Sequence, residues 1–168
     1  MIMLIWLVIA GAIVALDQIA KILVTMFLGR TESVSVIPYL FDFVYVENTG
    51  AAFSILSGNT VFLGIVSVLF CIGVLVYWYK NKPTHNLMKT ALTLLFAGAF
   101  GNAIDRIFRG YVVDFISTSF MEFPVFNIAD ISIVFGAFLL IVYVMFYEKE
   151  ESNGEVDSEG EQSGGTED

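Results

Sequence analysis

The chain has 168 residues, of which 57% are hydrophobic, and it carries a formal net charge of −9. This composition, with a mean hydropathy of +0.80, excludes an ordinary soluble domain and indicates a membrane protein of one compact unit. The charge comes mostly from residues 148–168, where nine acids and one lysine contribute −8 and leave −1 for the other 147 residues.

The first apolar run covers residues 1–16 and predicts a transmembrane helix that extends toward Leu28. A cleaved signal peptide is disfavoured because no positive charge precedes the run, and because Asp17 and Lys21 interrupt its continuation. These two residues are four apart, so on a helix they lie on one face and can pair. Asp17 therefore either forms a salt bridge at the helix end or faces a functional site and supports it.

Residues 31–56 are rich in β-branched and aromatic side chains with partial alternation, which predicts two or three short strands on the membrane surface. The segment ENTGAAFS, residues 47–54, follows these strands. Asn48 supplies an amide that both donates and accepts hydrogen bonds, and Gly50 allows a ligand to approach the backbone closely. A plain turn into the next helix is the alternative interpretation of this segment.

Three further apolar runs, residues 61–79, 87–104 and 131–147, predict three more membrane-spanning helices. Small residues at Gly98 and Gly101 in the third helix allow neighbouring helices to approach closely. With the first run, these helices form one membrane domain over residues 1–147.

Orientation follows from the lysines at positions 80, 82, 89 and 149, which fall on one side of the predicted helices. The positive-inside rule makes that side cytoplasmic, so both termini are predicted to be cytoplasmic. Residues 105–130 and the short strands then lie at the extracytoplasmic face. Residues 148–168 are predicted to be an acidic, disordered cytoplasmic tail, either simply solvated or used for binding.

This topology gathers polar residues from the outer ends of all four helices, and ionisable groups at membrane depth are functional-site candidates. The gathered residues are Asp17, Asn48, Asn102, Asp105, Arg106, Asp114, Asn127 and Asp130. Apolar neighbours should raise the pKa of Asp114. Purely structural roles remain open for others: Asp105 can pair with Arg109, and Asn127 and Asp130 can cap a helix.

The sequence lacks a G-x-S-x-G elbow, an H-E-x-x-H motif and a glycine-rich phosphate loop, and it offers no cysteine–histidine pair. A pair of carboxylates remains as the candidate chemical group. One, ionised, takes a proton from water, and its protonated partner donates to a carbonyl oxygen or a leaving amine. Such a pair titrates as a unit.

Four segments resemble, in order, the motifs of the lipoprotein signal peptidase (signal peptidase II) family. They are DQIAK at 17–21, ENTGAAFS at 47–54, GNAIDR with RGYVVDFI at 101–116, and FNIAD at 126–130. The resemblance implies an all-α membrane protein of four transmembrane helices, with a small extracytoplasmic β-cradle at about residues 31–56 between helices 1 and 2. It also implies an aspartic endopeptidase of the bacterial inner membrane that cleaves diacylglyceryl-modified prolipoproteins just before the lipidated cysteine.

By motif position, the resemblance implies that Asp114 and Asp130 are the catalytic pair. It implies supporting or substrate-binding roles for Asp17, Asn48, Gly50, Asn102, Asp105, Arg106 and Asn127. The implied partners are the prolipoprotein, membrane lipid and the cyclic-peptide inhibitor globomycin, with no nucleic acid, metal or cofactor. The acidic tail lies outside the family pattern.

Two other functions use the same polar cluster. A small proton-coupled transporter would use the carboxylates as a relay, although the acids gather at one face and do not cross the midplane. A non-catalytic assembly factor would use the cluster to hold its helices together.

Overall fold

A computed structural model of the chain describes residues 2–29, 33–50 and 56–147. The elements in chain order are α1 (Ile2–Phe27), β1 (Val34–Ile37), β2 (Phe41–Asn48), α2 (Thr60–Asn81), α3 (Asn86–Phe108), β3 (Val112–Thr118) and α4 (Ile128–Phe146). Each of the four helices is long and apolar enough to cross a membrane, which confirms the four predicted spans. The predicted tail, 148–168, lies outside the described residues and stays a prediction.

Helix α3 is the centre of the bundle and packs against α1, α2 and α4. About two-thirds of its membrane-spanning window is buried inside the protein, against less than a quarter in each of the other three helices. A helix that faces protein on most sides need not be apolar all round. This position explains why α3 carries Asn102 and Asp105, which are 3% and 0% exposed, within a span.

The contact between α3 and α4 depends on two glycines. A methyl group added at Gly98 would overlap the carbonyl oxygen of Ala129 and the side chain of Ile133. A methyl group at Gly136 would lie 2.9 Å from Leu95 and 3.0 Å from the carbonyl oxygen of Ala91. Small residues at such positions let helix backbones approach closely in a membrane, and here they bring the start of α4 against α3.

A three-stranded antiparallel sheet in the order β1-β2-β3 covers one end of the bundle. The first two strands confirm the prediction of short strands after α1, whereas β3 is a strand that the sequence did not reveal. In the pairing of β2 with β3, Val46 lies opposite Asp114 and Asn48 lies opposite Val112. Phe115 of β3 packs with Val24 at the end of α1, which fixes the sheet to the bundle.

The helix ends differ from the sequence prediction by a few residues, and the differences matter for the polar cluster. Helix α3 continues past residue 104 to Phe108, so Asp105 and Arg106 lie in its last turns. Helix α4 begins at Ile128 and therefore contains Asp130 in its first turn. The apolar runs are shorter than both helices, because the polar residues at these helix ends face the interior of the protein.

The glycine contact gives a first prediction. Replacement of Gly98 by alanine forces α4 away from α3 and should lower the free energy of unfolding by roughly 1–3 kcal/mol. The matched control is Gly73→Ala in α2, where an added methyl group meets nothing within 4 Å. Because alanine is the better helix former, the control should be neutral or slightly stabilising. Thermal unfolding in detergent measures the stability of both variants. Equal stability of the two would contradict the close contact between α3 and α4 at Gly98.

Candidate active site

Asp114 is a buried carboxylate, 2% exposed, that accepts hydrogen bonds from two asparagine side chains. Its Oδ2 accepts from Nδ2 of Asn48 at 2.9 Å, and its Oδ1 accepts from Nδ2 of Asn127 at 2.7 Å. Asn48 reaches Asp114 because it lies on the neighbouring strand, two residues beyond the position opposite Asp114. Residues two apart on a strand share a face, so the sheet itself aligns the two side chains.

Asp130 lies in the first turn of α4 and has two roles at once. It forms a capping box with Asn127: Asn127 Oδ1 accepts from the backbone N–H of Asp130 at 2.9 Å, and Asp130 Oδ2 accepts from the backbone N–H of Asn127 at 3.2 Å. Its other oxygen, Oδ1, accepts from Nδ2 of Asn102 at 2.8 Å. Both open interpretations of Asp130, helix cap and site residue, are therefore compatible with the structure.

Two amides connect the two carboxylates. Asn127 donates through Nδ2 to Asp114 and also lies 3.2 Å from Oδ1 of Asn102, whose own Nδ2 donates to Asp130. Neither Asp114 nor Asp130 forms an ion pair with any residue in the described part of the chain. The hydrogen bonds to the pair thus come from neutral donors, which fix the positions of the oxygens without placing a cation at contact distance.

The surroundings of Asp114 raise its pKa from 3.8 to about 6, chiefly because a buried carboxylate loses its hydration. The negative charge of Asp130 contributes to this rise, because a second carboxylate nearby disfavours the ionised form of Asp114. The amides of Asn48 and Asn127 act in the opposite direction because they bind the ionised form. The expectation that apolar surroundings raise this pKa is confirmed.

A buried ion cluster lies behind the carboxylate pair. Lys21 is fully buried, and its Nζ lies 2.8 Å from Oδ2 of Asp17 and 2.8 Å from Oδ2 of Asp105. Asp17 also accepts from the backbone N–H of Ala129 at 3.0 Å, next to Asp130. Asp17 therefore forms the predicted salt bridge, and its bond to the start of α4 is compatible with a supporting role at the site.

Asp105 is likewise a member of ion pairs at this end of the bundle. Besides Lys21, it contacts Arg109 at 3.6 Å, as the four-residue spacing predicts. Its Oδ2 also accepts from the backbone N–H of Val113 at 3.3 Å, directly before Asp114. The end of α3 is thereby joined to β3 at the residue that precedes the buried carboxylate.

Gly50 and Arg106 complete the network on the side of the sheet. Nη2 of Arg106 donates to the carbonyl oxygen of Gly50 at 3.0 Å, and the N–H of Gly50 donates to Oδ1 of Asn48 at 2.8 Å. That second bond turns Nδ2 of Asn48 toward Asp114. Within the described residues, the buried Nε of Arg106 has no hydrogen-bond partner. Residues 51–54 of the same segment lie outside the described part.

The structure brings together every residue that the sequence singles out, and it adds contributions that the sequence does not reveal. The sequence predicts Lys21 only as a partner of Asp17, whereas the ammonium also contacts Asp105 and Asn102. Gln18 joins the same cluster through a 3.2 Å hydrogen bond to the carbonyl oxygen of Gly101. A lysine within a span is a usable signal, because such a charge must find partners inside the protein.

Comparison with known proteins gives a consistent result. Residues 9–146 match the family model described as Signal peptidase (SPase) II. A curated "Lipoprotein signal peptidase" of Clostridium novyi (strain NT) is 40% identical over 135 residues, 79% of this chain and 91% of the relative. Another from Staphylococcus aureus (strain bovine RF122 / ET3-1) is 41% identical over 148 residues, 86% and 88% of the two chains.

The fold also matches a solved structure. A chain described as a bacterial membrane enzyme, determined at 2.3 Å resolution, superposes with a TM-score of 0.80 and 37% sequence identity. The match covers 88% of this chain and 90% of that chain.

The raised pKa of Asp114 predicts a pH dependence of stability. Its pKa is 3.8 without the folded surroundings and about 6 within them, so the folded state binds the proton more tightly. The free energy of unfolding should therefore fall as pH rises from about 4 to about 6, by about 3 kcal/mol, and level off above that range. Replacement by asparagine removes this contribution.

The measurement is the unfolding temperature of the wild type and of Asp114→Asn between pH 4 and pH 8. The comparison concerns the slope and not the absolute stability, because the new amide would set its NH₂ against one of the two donors from Asn48 and Asn127. Identical slopes in both proteins would show that Asp114 does not titrate in this window.

Proposed function

The chain belongs to the signal peptidase II family, and from that premise we propose that it is an aspartic endopeptidase in which Asp114 and Asp130 are the catalytic pair. Family membership makes it a multi-pass membrane peptidase that acts on lipoprotein precursors. One observation supports the finer assignment most: two carboxylates from different elements are joined through Asn127 and Asn102, with neutral donors on each.

The reaction needs a base and an acid at the same place. The ionised member of the pair removes a proton from water, whose oxygen forms a bond to the scissile carbonyl carbon. The protonated member donates its proton to the carbonyl oxygen. When the tetrahedral intermediate collapses, the C–N bond breaks and a proton passes to the leaving nitrogen. The products are a signal peptide with a new carboxylate and a lipoprotein with a free amino group.

The surroundings of Asp114 suit this exchange of roles. A carboxyl group with a pKa near 6 changes its protonation state at little cost near neutral pH. Since Asp114 and Asp130 interact, the two protons belong to the pair as a unit. The amides of Asn48, Asn102 and Asn127 hold the carboxyl oxygens in fixed directions, which reduces the reorganisation needed at each step.

The substrate in this proposal is a signal helix whose lipobox cysteine carries a diacylglyceryl group, cut just before that cysteine. The pair lies at the end of the bundle where α3, α4 and the sheet meet. At such a place the lipid chains stay in the membrane while the peptide bond reaches water. Gly50 allows an extended backbone to approach. The Nε of Arg106, which has no hydrogen-bond partner among the described residues, is suited to a substrate carbonyl or the lipid ester. Globomycin is expected to occupy the same place.

The proposed orientation places both termini in the cytoplasm and the catalytic pair at the extracytoplasmic face of the cell membrane. The lysines at 80, 82 and 89 support it, because they flank the connection between α2 and α3, at the opposite end of α3 from Asn102. The charged side chains of the site gather at one end of the bundle and do not line a path through it. A transport function is therefore less well supported than hydrolysis.

The catalytic assignment predicts that Asp114→Asn and Asp130→Asn each lower cleavage of a diacylglyceryl lipobox peptide by roughly 10²- to 10⁴-fold, since neither amide can transfer the proton. The matched control is Asp42→Asn, which removes a carboxylate of β2 that accepts from Ser119 and lies outside the network. It should keep wild-type activity. Full activity in either variant of the pair, with folding verified by thermal unfolding, would refute the assignment.

A further inference from the structure

Lys21 is the one fully buried lysine in the described part of the chain, and its contacts extend beyond the acids that neutralise it. Besides its ion pairs with Asp17 and Asp105, Nζ donates to Oδ1 of Asn102 at 3.0 Å. Asn102 is the residue whose Nδ2 donates to Asp130 at 2.8 Å. Lys21 on α1 is therefore one side chain away from the carboxylate pair.

The contact determines which way the amide of Asn102 points. An ammonium group has donors and no acceptor, so the atom of Asn102 that faces Lys21 must be the carbonyl oxygen. The NH₂ group then has to face Asp130. In the reversed amide, NH₂ would face the ammonium and the carbonyl oxygen would face the carboxylate, so both contacts would become repulsive. Asn127 supports the same orientation, because its Nδ2 also lies 3.2 Å from Oδ1 of Asn102.

We propose that Lys21 is a positioning residue for peptide hydrolysis: it holds the amide of Asn102 in the one orientation that donates to Asp130, and its charge adjusts the pH range of activity. The inference rests on the proposed catalytic role of Asp114 and Asp130. Lys21 contacts neither Asp114 nor Asp130. It affects the reaction through its hydrogen bond to Asn102 and through the electrostatic effect of its charge.

The charges around Lys21 explain how it affects the pH range. Asp17 faces it from α1 and Asp105 faces it from α3, while Asp130 of α4 and Asp114 of β3 lie beyond Asn102. The other cations of this region are Arg106 and Arg109, both from α3. The positive charge of Lys21 lowers the pKa of Asp114, against the larger effect of burial. Loss of that charge therefore moves proton release from the pair to higher pH.

The first variant is Lys21→Met, which keeps an unbranched side chain one atom shorter and removes the ammonium. For a diacylglyceryl lipobox peptide, kcat/KM should fall roughly 10- to 100-fold, mostly through kcat, because the donor to Asp130 is no longer held in place. The pH–rate profile should move to higher pH by about one pH unit. A wild-type rate together with an unmoved profile would overturn the proposal.

The matched control is Gln18→Met. Gln18 contacts Asp17, Asp105 and the carbonyl oxygen of Gly101, so the control disturbs the same ion cluster without touching Asn102. A purely structural role of the cluster predicts that both variants lose thermal stability and that neither moves the pH–rate profile. The positioning role predicts a moved profile in the Lys21 variant and an unmoved one in the control.

Removal of Lys21 leaves two buried acids without their cation, which can prevent folding. The second comparison is therefore between the double variant Lys21→Met/Asp105→Asn and the single variant Asp105→Asn. The double variant removes one positive and one negative charge, so the net charge of the cluster is unchanged.

A double-mutant cycle that combines Lys21→Met with Asn102→Ala then tests whether the effect of Lys21 on the reaction depends on Asn102. If Lys21 acts through Asn102, Lys21→Met causes little further loss of kcat once Asn102 is absent. Additive losses overturn the positioning role.

The outcomes also separate this inference from the proposed function. Full activity in Asp114→Asn or Asp130→Asn would refute both the assignment of the catalytic pair and this inference. Loss of activity in those two variants, with unchanged kcat and pH profile in the Lys21 variants, would leave the catalytic pair in place and refute this inference.

Discussion

A polar group between membrane-spanning helices has little water to bind, so it must find its partners within the protein. This constraint determines the functional end of the molecule. The ammonium of Lys21 pairs with Asp17 of its own helix at 2.8 Å and joins α1 to α3 through its 2.8 Å contact with Asp105. Asp17 extends the connection to α4 at the N–H of Ala129, and Asp105 extends it to β3 at the N–H of Val113. Satisfying a few charges thus fixes the relative positions of four elements.

Close helix packing and the polar network depend on each other. The carbonyl oxygen of Ala129 lies against Gly98, so α4 starts close enough to α3 for Asn102 to reach Asp130. A methyl group at Gly101 would in turn approach Oδ2 of Asp17 to 3.0 Å, so a small residue is also needed beside the ion cluster. Short side chains such as asparagine and aspartate carry hydrogen bonds over only a few ångströms. The site therefore requires backbones that nearly touch.

The sequence predicts the four spans well because their apolar runs are long, and polar residues near the run ends reveal where the cluster forms. It predicts less well what depends on contacts between distant segments. The segment around Asp114 lies between two predicted helices and receives no strand prediction from the sequence, although its seven residues form β3. Pairing with β2 makes it a strand. Likewise, the spacing of Asp17 and Lys21 reveals one ion pair, whereas the contact of Lys21 with Asn102 joins residues 81 positions apart.

The acids at this end of the bundle differ in the kind of partner they have, and that difference is the basis of the structural and catalytic roles that we propose for them. Asp17 and Asp105 face an ammonium group, so their charges are balanced in place and their oxygens are committed to holding helices together. Asp114 and Asp130 receive neutral N–H donors, which orient a carboxyl group in either protonation state without supplying a full charge. A proton can therefore move on and off this pair while the surrounding hydrogen bonds persist. Hydrolysis of a peptide bond needs that combination of fixed geometry and variable charge.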